Sequence, residues 1–374
     1  MNNQRAAFVL EEAKLRSNLA LIQSVALAAD VEIILALKAY AFWATFPIVK
    51  EYLPNATASS LNEARLVFDY MQTSPHIYAP AYLPEQFENI IQLASHLTFN
   101  SLQELDRYRP LWEKEEVSIG LRINPEYSPV QTALYNPGDP SSRLGETLPN
   151  LPTIPPTGLA GLHSHVLCES TAEDTAELIR RVEQQFGHYL RNIHWWNLGG
   201  GHLMTKEGYD LELLTNTLKD LRNRYPHLKI ILEPGSAIAW QAGYLRARVL
   251  DIVENYGQRT AVLDVSFTCH MPDTLEMPYR PQIRNASRAE FAGGFAYRLG
   301  GVSCLAGDYL DNYWFKHPLL RGDTILFEDM LHYTTVKTTM FNGVEHPDLI
   351  IKRLDGSEEV VRRFDYTDYR GRMG

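Results

Sequence analysis

The chain has 374 residues and a formal net charge of −10. That length accommodates two domains, or one large barrel with a smaller module, and the acidic balance argues against nucleic acid as a partner. Cys168, Cys269 and Cys304 show no CxxC spacing, which argues against a disulfide framework or a structural zinc site and points to a reducing cytoplasm.

The N-terminal stretch MNNQRAAFVLEEAKLRSN lacks the pattern of a signal peptide, and no apolar run has the length of a membrane span. Eight short apolar runs then follow, each ending in small or polar residues: IILALKAY (33–40), ATASS (56–60), HIYAP (76–80), HLTFN (96–100), VSIGLRINP (117–125), LAGLHSHV (159–166), HWWNLGGG (194–201) and IILEPGS (230–236). Most gaps carry apolar residues at helical spacing, as in LNEARLVFDYM, EDTAELIRRVEQQF and YDLELLTNTLKDLRNRY. The alternation predicts an α/β fold, a (β/α)8 barrel, over residues 1–240.

Past about residue 240, strand-like runs succeed one another without helices: LRARVLDIV, TAVLDVSF, PQIRNAS, FAYRLGGV, DTILFED, YTTVKTTMF, DLIIKRL and EEVVRRFDY. Turn residues such as Asn255, Gly257, Gly322 and Gly343 separate several of them. They predict an antiparallel β-domain over residues 241–374, to which the N-terminal AAFVL can add a strand.

The working face of such a barrel lies at the C-terminal ends of its strands. The sequence puts Lys38, Arg122, His163, His165, Gly199 to Gly201 and Glu233 there. Lys38 shares a strand face with Ile34 and Ala36. Desolvated in a barrel, its pKa falls toward neutrality, the state that forms a Schiff base with an aldehyde; the plain alternative is a lysine reaching water from the strand end. Three successive glycines let a backbone approach an anion such as phosphate, or simply make a tight turn. A carboxylate at Glu233 calls for a cation, either a protonated ring nitrogen or an arginine such as Arg122.

His163 and His165 have a metal-ligand spacing. Metal-dependent barrel hydrolases, however, place that pair on the first strand and add histidines and an aspartate later. Here the pair is on the sixth strand, and the later strands offer glycines and a glutamate, so no resident metal is expected. Lysine, glycine loop and glutamate together suit one cofactor, pyridoxal 5'-phosphate: its aldehyde, its phosphate and its pyridine nitrogen.

The segments ALKAYAFW, ASSLNEARL, GLHSHVLCES, WWNLGGGH, LEPGSA, DVSFTCHMPDTLEMPYRP and SCLAGDYL, in this order, resemble the pyridoxal-phosphate decarboxylases of alanine-racemase-like fold, the group that contains ornithine and diaminopimelate decarboxylases. Within it they are most similar to the branch acting on carboxynorspermidine and carboxyspermidine in polyamine synthesis. The resemblance implies that Lys38 carries the cofactor, that His165 stacks on its ring, that Gly199, Gly200, Gly201 and Tyr333 hold its phosphate, and that Glu233 meets its ring nitrogen. It implies that Cys304 reaches the site of the other subunit and protonates the product carbon, so the functional unit is a homodimer with shared sites. Better-known relatives carry a serine where Cys168 stands and an arginine where Ser236 stands, so the phosphate shell is completed differently here.

The implied substrate is an amino acid with a long cationic tail, for which Asp273, Glu276 and Asp308 are candidate partners, with Glu233 completing the carboxylates of the site. Other readings are a decarboxylase of ornithine, lysine or diaminopimelate, a racemase, or a non-catalytic regulator of the same fold. A racemase usually places an arginine where Glu233 stands. A regulator has no need to retain the lysine, the glycine loop and the cysteine together.

Overall fold

The computed structural model describes residues 5–130, 132, 136–276 and 279–374. The chain divides into two compact units: Asn18–Ile238, and residues 5–17 with Ala239–Gly374. In chain order the strands are β1 (Ala7–Glu11), β2 (Glu32–Ile33), β3 (Leu35–Ala36), β4 (Ala56–Ala58), β5 (His76–Tyr78), β6 (His96–Phe99), β7 (Ser118–Arg122), β8 (Gly161–His163), β9 (Trp195–Asn197) and β10 (Lys229–Leu232). They continue with β11 (Gly243–Asn255), β12 (Gln258–Leu263), β13 (Ala286–Ser287), β14 (Phe295–Gly300), β15 (Tyr309–Phe315), β16 (Thr324–Glu328), β17 (Asp348–Lys352) and β18 (Glu358–Arg362).

Strands β2 to β10 make one parallel sheet in the order β2-β10-β9-β8-β7-β6-β5-β4-β3. Its two ends, β2 and β3, are one piece of chain interrupted at Ile34. Ile34 N–H donates to Leu232 O at 2.9 Å and Leu35 N–H to Asn55 O at 3.1 Å. The first strand therefore bridges β10 to β4 and closes the barrel, whose remaining strands lie where the apolar runs predict them. Several helices are started by local chemistry: Ser60 caps Leu61–Met71, and Thr171 with Asp174 forms a capping box on Ala172–Leu190.

Inside the barrel, Ile34, Trp195 and Ile231 form one buried layer. A Cβ at Gly161 would fall 2.0 Å from the Trp195 ring, so the large indole fixes a glycine on the neighbouring strand. Interior packing of this kind makes the barrel a filled core and leaves chemistry to its rim.

The second unit is a mixed sheet in the order β13-β15-β14-β12-β11-β1-β17-β18, with β16 also on β11. N-terminal β1 lies between β11 and β17, antiparallel to the first and parallel to the second, and β12 runs parallel to β14. Long β11 is the spine: its first half pairs with β1 and β16, its second with β12.

The sheet domain is present as expected, but its pairs β1–β17 and β12–β14 are parallel where an antiparallel domain is predicted, and two local details also depart from the sequence reading. The run YTTVKTTMF makes no strand: Tyr333 takes φ 46°, Thr334–Val336 is a 3-10 turn, and Thr335 Oγ1 donates to Leu331 O at 3.1 Å. Threonine hydroxyls that bond to nearby backbone compete with the ladder that β-branched composition suggests. Conversely, YLDNYWF, absent from the strand-like runs read in the sequence, is strand β15, with Leu310, Tyr313 and Phe315 buried.

Candidate active site

The functional side chains of the barrel unit gather just past the ends of adjacent strands. Lys38 lies two residues beyond β3, His165 two beyond β8, Gly199 two beyond β9, and Glu233 one beyond β10. Lys38 thus sits in the turn, and His165 in the irregular loop, that follows its strand, rather than on the strand faces expected for them.

Nζ of Lys38 is 3.1 Å from Nε2 of His165, and Gly200 N–H donates to Nδ1 of the same ring at 2.6 Å. Burial pulls the Lys38 ammonium down to about 8, against the opposing charge of Glu233. Burial, joined by the charges of Lys38 and Arg122, holds His165 well below the usual imidazole range.

Glu233 is 4 % exposed. Asn197 Nδ2–H donates to its Oε1 at 2.7 Å, and Nε2 of His163 faces its Oε2 at 3.5 Å. Burial pushes this carboxyl up, but His163, Lys38 and the Asn197 hydrogen bond outweigh burial and bring it to about 2. The site thus holds an ionised carboxylate away from water.

Arg122 is neither a solvated strand end nor a direct ion-pair partner of Glu233. It is buried, donates to His165 O at 2.6 Å, and lies over the Tyr78 ring at 4.8 Å. Tyr78 donates in turn to Asn100 Oδ1 at 2.8 Å. This chain of contacts braces the backbone that carries His165.

The glycine loop is built for close approach. A Cβ at Gly199 would fall 2.5 Å from His165 Cα, one at Gly200 2.5 Å from Glu233 O, and one at Gly201 2.3 Å from Leu167 O. Gly199 and Gly201 also take positive φ, 75° and 95°. Ligand atoms of His163, His165 and Glu233 lie within 4.8 Å of one another, but both His165 nitrogens and Glu233 Oε1 already have partners.

In the sheet unit, Cys304 is exposed and its N–H donates to Asn342 Oδ1 at 2.8 Å. Asp308 is buried, and its oxygens accept from Thr268 N–H at 3.0 Å, Ser303 N–H at 3.2 Å and Ser303 Oγ–H at 2.6 Å. Asp273 accepts from Tyr279 Oη–H at 2.8 Å on Oδ2, while its buried Oδ1 has no hydrogen-bond partner among the described residues. Glu276 is paired with Lys337. Met277 and Pro278, within the motif HMPDTLEMPYRP, lie outside the described residues.

The family described as "Pyridoxal-dependent decarboxylase, C-terminal sheet domain" matches residues 20–330. The chain belongs to the pyridoxal-dependent decarboxylases. It is 51% identical over 367 residues to carboxyaminopropylagmatine decarboxylase of Synechocystis sp., covering 98% of this chain and 95% of that protein. It is 39% identical over 376 residues to the carboxynorspermidine/carboxyspermidine decarboxylase of Campylobacter jejuni, covering 98% and 97%. The crystal structure of carboxynorspermidine decarboxylase complexed with norspermidine from Campylobacter jejuni superposes with a TM-score of 0.92 at 38% identity, over 99% of this chain and 100% of that one. Diaminopimelate decarboxylase from Helicobacter pylori, 16% identical with a TM-score of 0.81, shares the fold. The protein is thus an amino-acid decarboxylase of alanine-racemase-like fold. No helix among the described residues is long and apolar enough to cross a membrane.

Asn197 is the site residue that the sequence reading passed over. Its signal was its place in WWNLGGG, directly before the glycine loop.

Proposed function

We propose that this protein removes the α-carboxylate from a carboxylated polyamine, with pyridoxal 5'-phosphate held by Lys38 through its amine, by His165 at the ring, by Glu233 at the ring nitrogen, and by Gly199, Gly200, Gly201 and Tyr333 at the phosphate. The observation that carries it is Glu233, a buried carboxylate that accepts from Asn197, faces His163 and lies at the same rim of the barrel as Lys38. Such a charge demands a cation in the space it faces, and a protonated pyridine nitrogen is one. Close-approach glycines and a lysine near neutrality fit the same group.

When bound, the cofactor supplies the electron sink for the bond to the departing carboxylate. Glu233 keeps that sink cationic. Lys38 supplies an uncharged amine. Cys304 of one protomer delivers its Sγ proton to the product carbon in its partner's site, so the working unit is a homodimer. Tyr333 carries a bulky side chain at φ 46°, backbone strain of the kind that persists at functional positions.

For the tail, Asp273 is favoured, because its Oδ1 keeps an unused lone pair, whereas Asp308 is spent on the Cys304 loop and Glu276 on Lys337. Carboxynorspermidine and carboxyspermidine are the first substrates to test. The Synechocystis relative gives a second reading, carboxyaminopropylagmatine, whose tail ends in a guanidinium that a carboxylate binds in bidentate fashion. An assay with each compound, reading the released amine, tests both. Asp273→Ala is expected to raise KM for the polyamine substrates.

A further inference from the structure

The oxygens of Glu233 are not equivalent. Oε1 accepts the Asn197 amide N–H at 2.7 Å, and Oε2 faces His163 at 3.5 Å. The other end of the same amide, Asn197 Oδ1, accepts the N–H of Gly199 at 2.8 Å. Asn197 is 3 % exposed and ends β9. One rigid planar group thus ties the ring-nitrogen carboxylate to the first residue of the glycine loop.

We propose that Asn197 is the positioning residue of this site: it sets the rotation of the Glu233 carboxylate and registers that carboxylate against the Gly199–Gly201 loop. This rests on the cofactor reading above. The residue type follows from the geometry. The position needs a donor toward Glu233 and an acceptor toward Gly199, and a side-chain amide offers one of each. An aspartate would keep the acceptor for Gly199 but set two carboxylates against each other at hydrogen-bond distance. Such a pair holds one proton between them, which removes charge from Glu233. Alanine would remove both bonds.

The two variants therefore fail differently. Asn197→Asp is nearly isosteric and keeps the loop bond, so cofactor affinity stays within about threefold of wild type. Its kcat falls about tenfold or more with KM little changed, because the electron sink and not the substrate contact is weakened. The absorption of the bound cofactor shifts toward the form with an unprotonated ring nitrogen. Asn197→Ala frees Gly199 as well, so it also weakens cofactor retention, read by dialysis and fluorescence titration. In Asn197→Asp with Glu233→Gln, an amide and a carboxylate again face each other with their roles exchanged. That double variant should be no slower than Glu233→Gln alone, because the two residues act as one unit.

The experiment is this set of variants on full-length protein loaded with pyridoxal 5'-phosphate, with absorption spectra, cofactor titration and steady-state kinetics on each. An unchanged kcat and spectrum in Asn197→Asp would overturn the proposal. So would losses that simply multiply in the double variant, since a merely structural asparagine would give that result. A wild-type chain that takes up no cofactor would instead defeat the cofactor reading. If Asn197→Asp does not fold, Asn197→Ala decides: cofactor affinity and spectrum equal to wild type would overturn the proposal, and loss of both would support it.

Discussion

Nζ of Lys38 lies 3.1 Å from Nε2 of His165, and Nδ1 of that ring accepts the Gly200 N–H at 2.6 Å. An imidazole that accepts at Nδ1 carries its proton on Nε2; this tautomer is assigned from the hydrogen bonds. It donates to the lysine, which must then offer a lone pair. The glycine loop, through one histidine, thereby favours the uncharged amine.

Cofactor loading should therefore depend on pH with a definite sign. The neutral amine attacks the aldehyde, and the Lys38 ammonium loses its proton near 8 instead of in the usual lysine range. The loading rate of cofactor-free protein should rise with pH through about 8 and then level off. A rate still rising steeply above pH 9 would show an unperturbed lysine. Stopped-flow absorbance reads this directly.

Glu233→Ala should leave the lysine linkage intact, trapped by borohydride reduction and mass spectrometry, while kcat falls about 10²–10³-fold. A variant of near-normal rate would remove Glu233 from the role of holding the ring cationic.

Gly201→Ala should damage the loop from two causes at once. Its backbone has φ 95°, and the added Cβ would meet Leu167 C and O at 2.3 Å. The combined cost is about 2 kcal/mol or more. A lower Tm with weakened cofactor affinity is expected, and thermal unfolding with cofactor titration checks both.

The proposed sharing of sites between two protomers makes a complementation prediction. Lys38→Ala and Cys304→Ala should each be nearly inactive alone. Mixed in equal amounts and allowed to exchange, they should regain about a quarter of wild-type activity, because half the dimers carry one intact site. Activity that stays at the level of the separate variants would place Cys304 in its own protomer's site or out of the chemistry.

The barrel was legible because each strand ran from apolar residues into a polar or glycine terminus, and burial of a parallel strand demands that pattern. Lys38 and Glu233 stood out because charge at the end of an apolar run has few explanations. Asn197 was hidden: an amide looks ordinary in sequence, and its role exists only once β9 and β10 lie side by side. Arg122 was visible, but its partners, the His165 carbonyl and the Tyr78 ring, come from distant segments. The sheet unit was harder to read. Tyr333–Phe341 had strand composition without strand hydrogen bonds, and β15 had strand hydrogen bonds around an Asp-Asn pair. The carboxylates expected for the substrate tail looked alike in sequence, and only the structure shows Asp308 spent on backbone N–H groups and Glu276 on Lys337.

The most direct test is a product assay on the purified, cofactor-loaded protein. Carboxynorspermidine, carboxyspermidine, carboxyaminopropylagmatine, ornithine, lysine and diaminopimelate would be offered separately, and the released amines identified by mass. The account predicts carbon dioxide release and the matching polyamine from one or more of the first three, with little from the rest. Turnover confined to ornithine, lysine or diaminopimelate would contradict the assignment of a carboxylated polyamine as substrate.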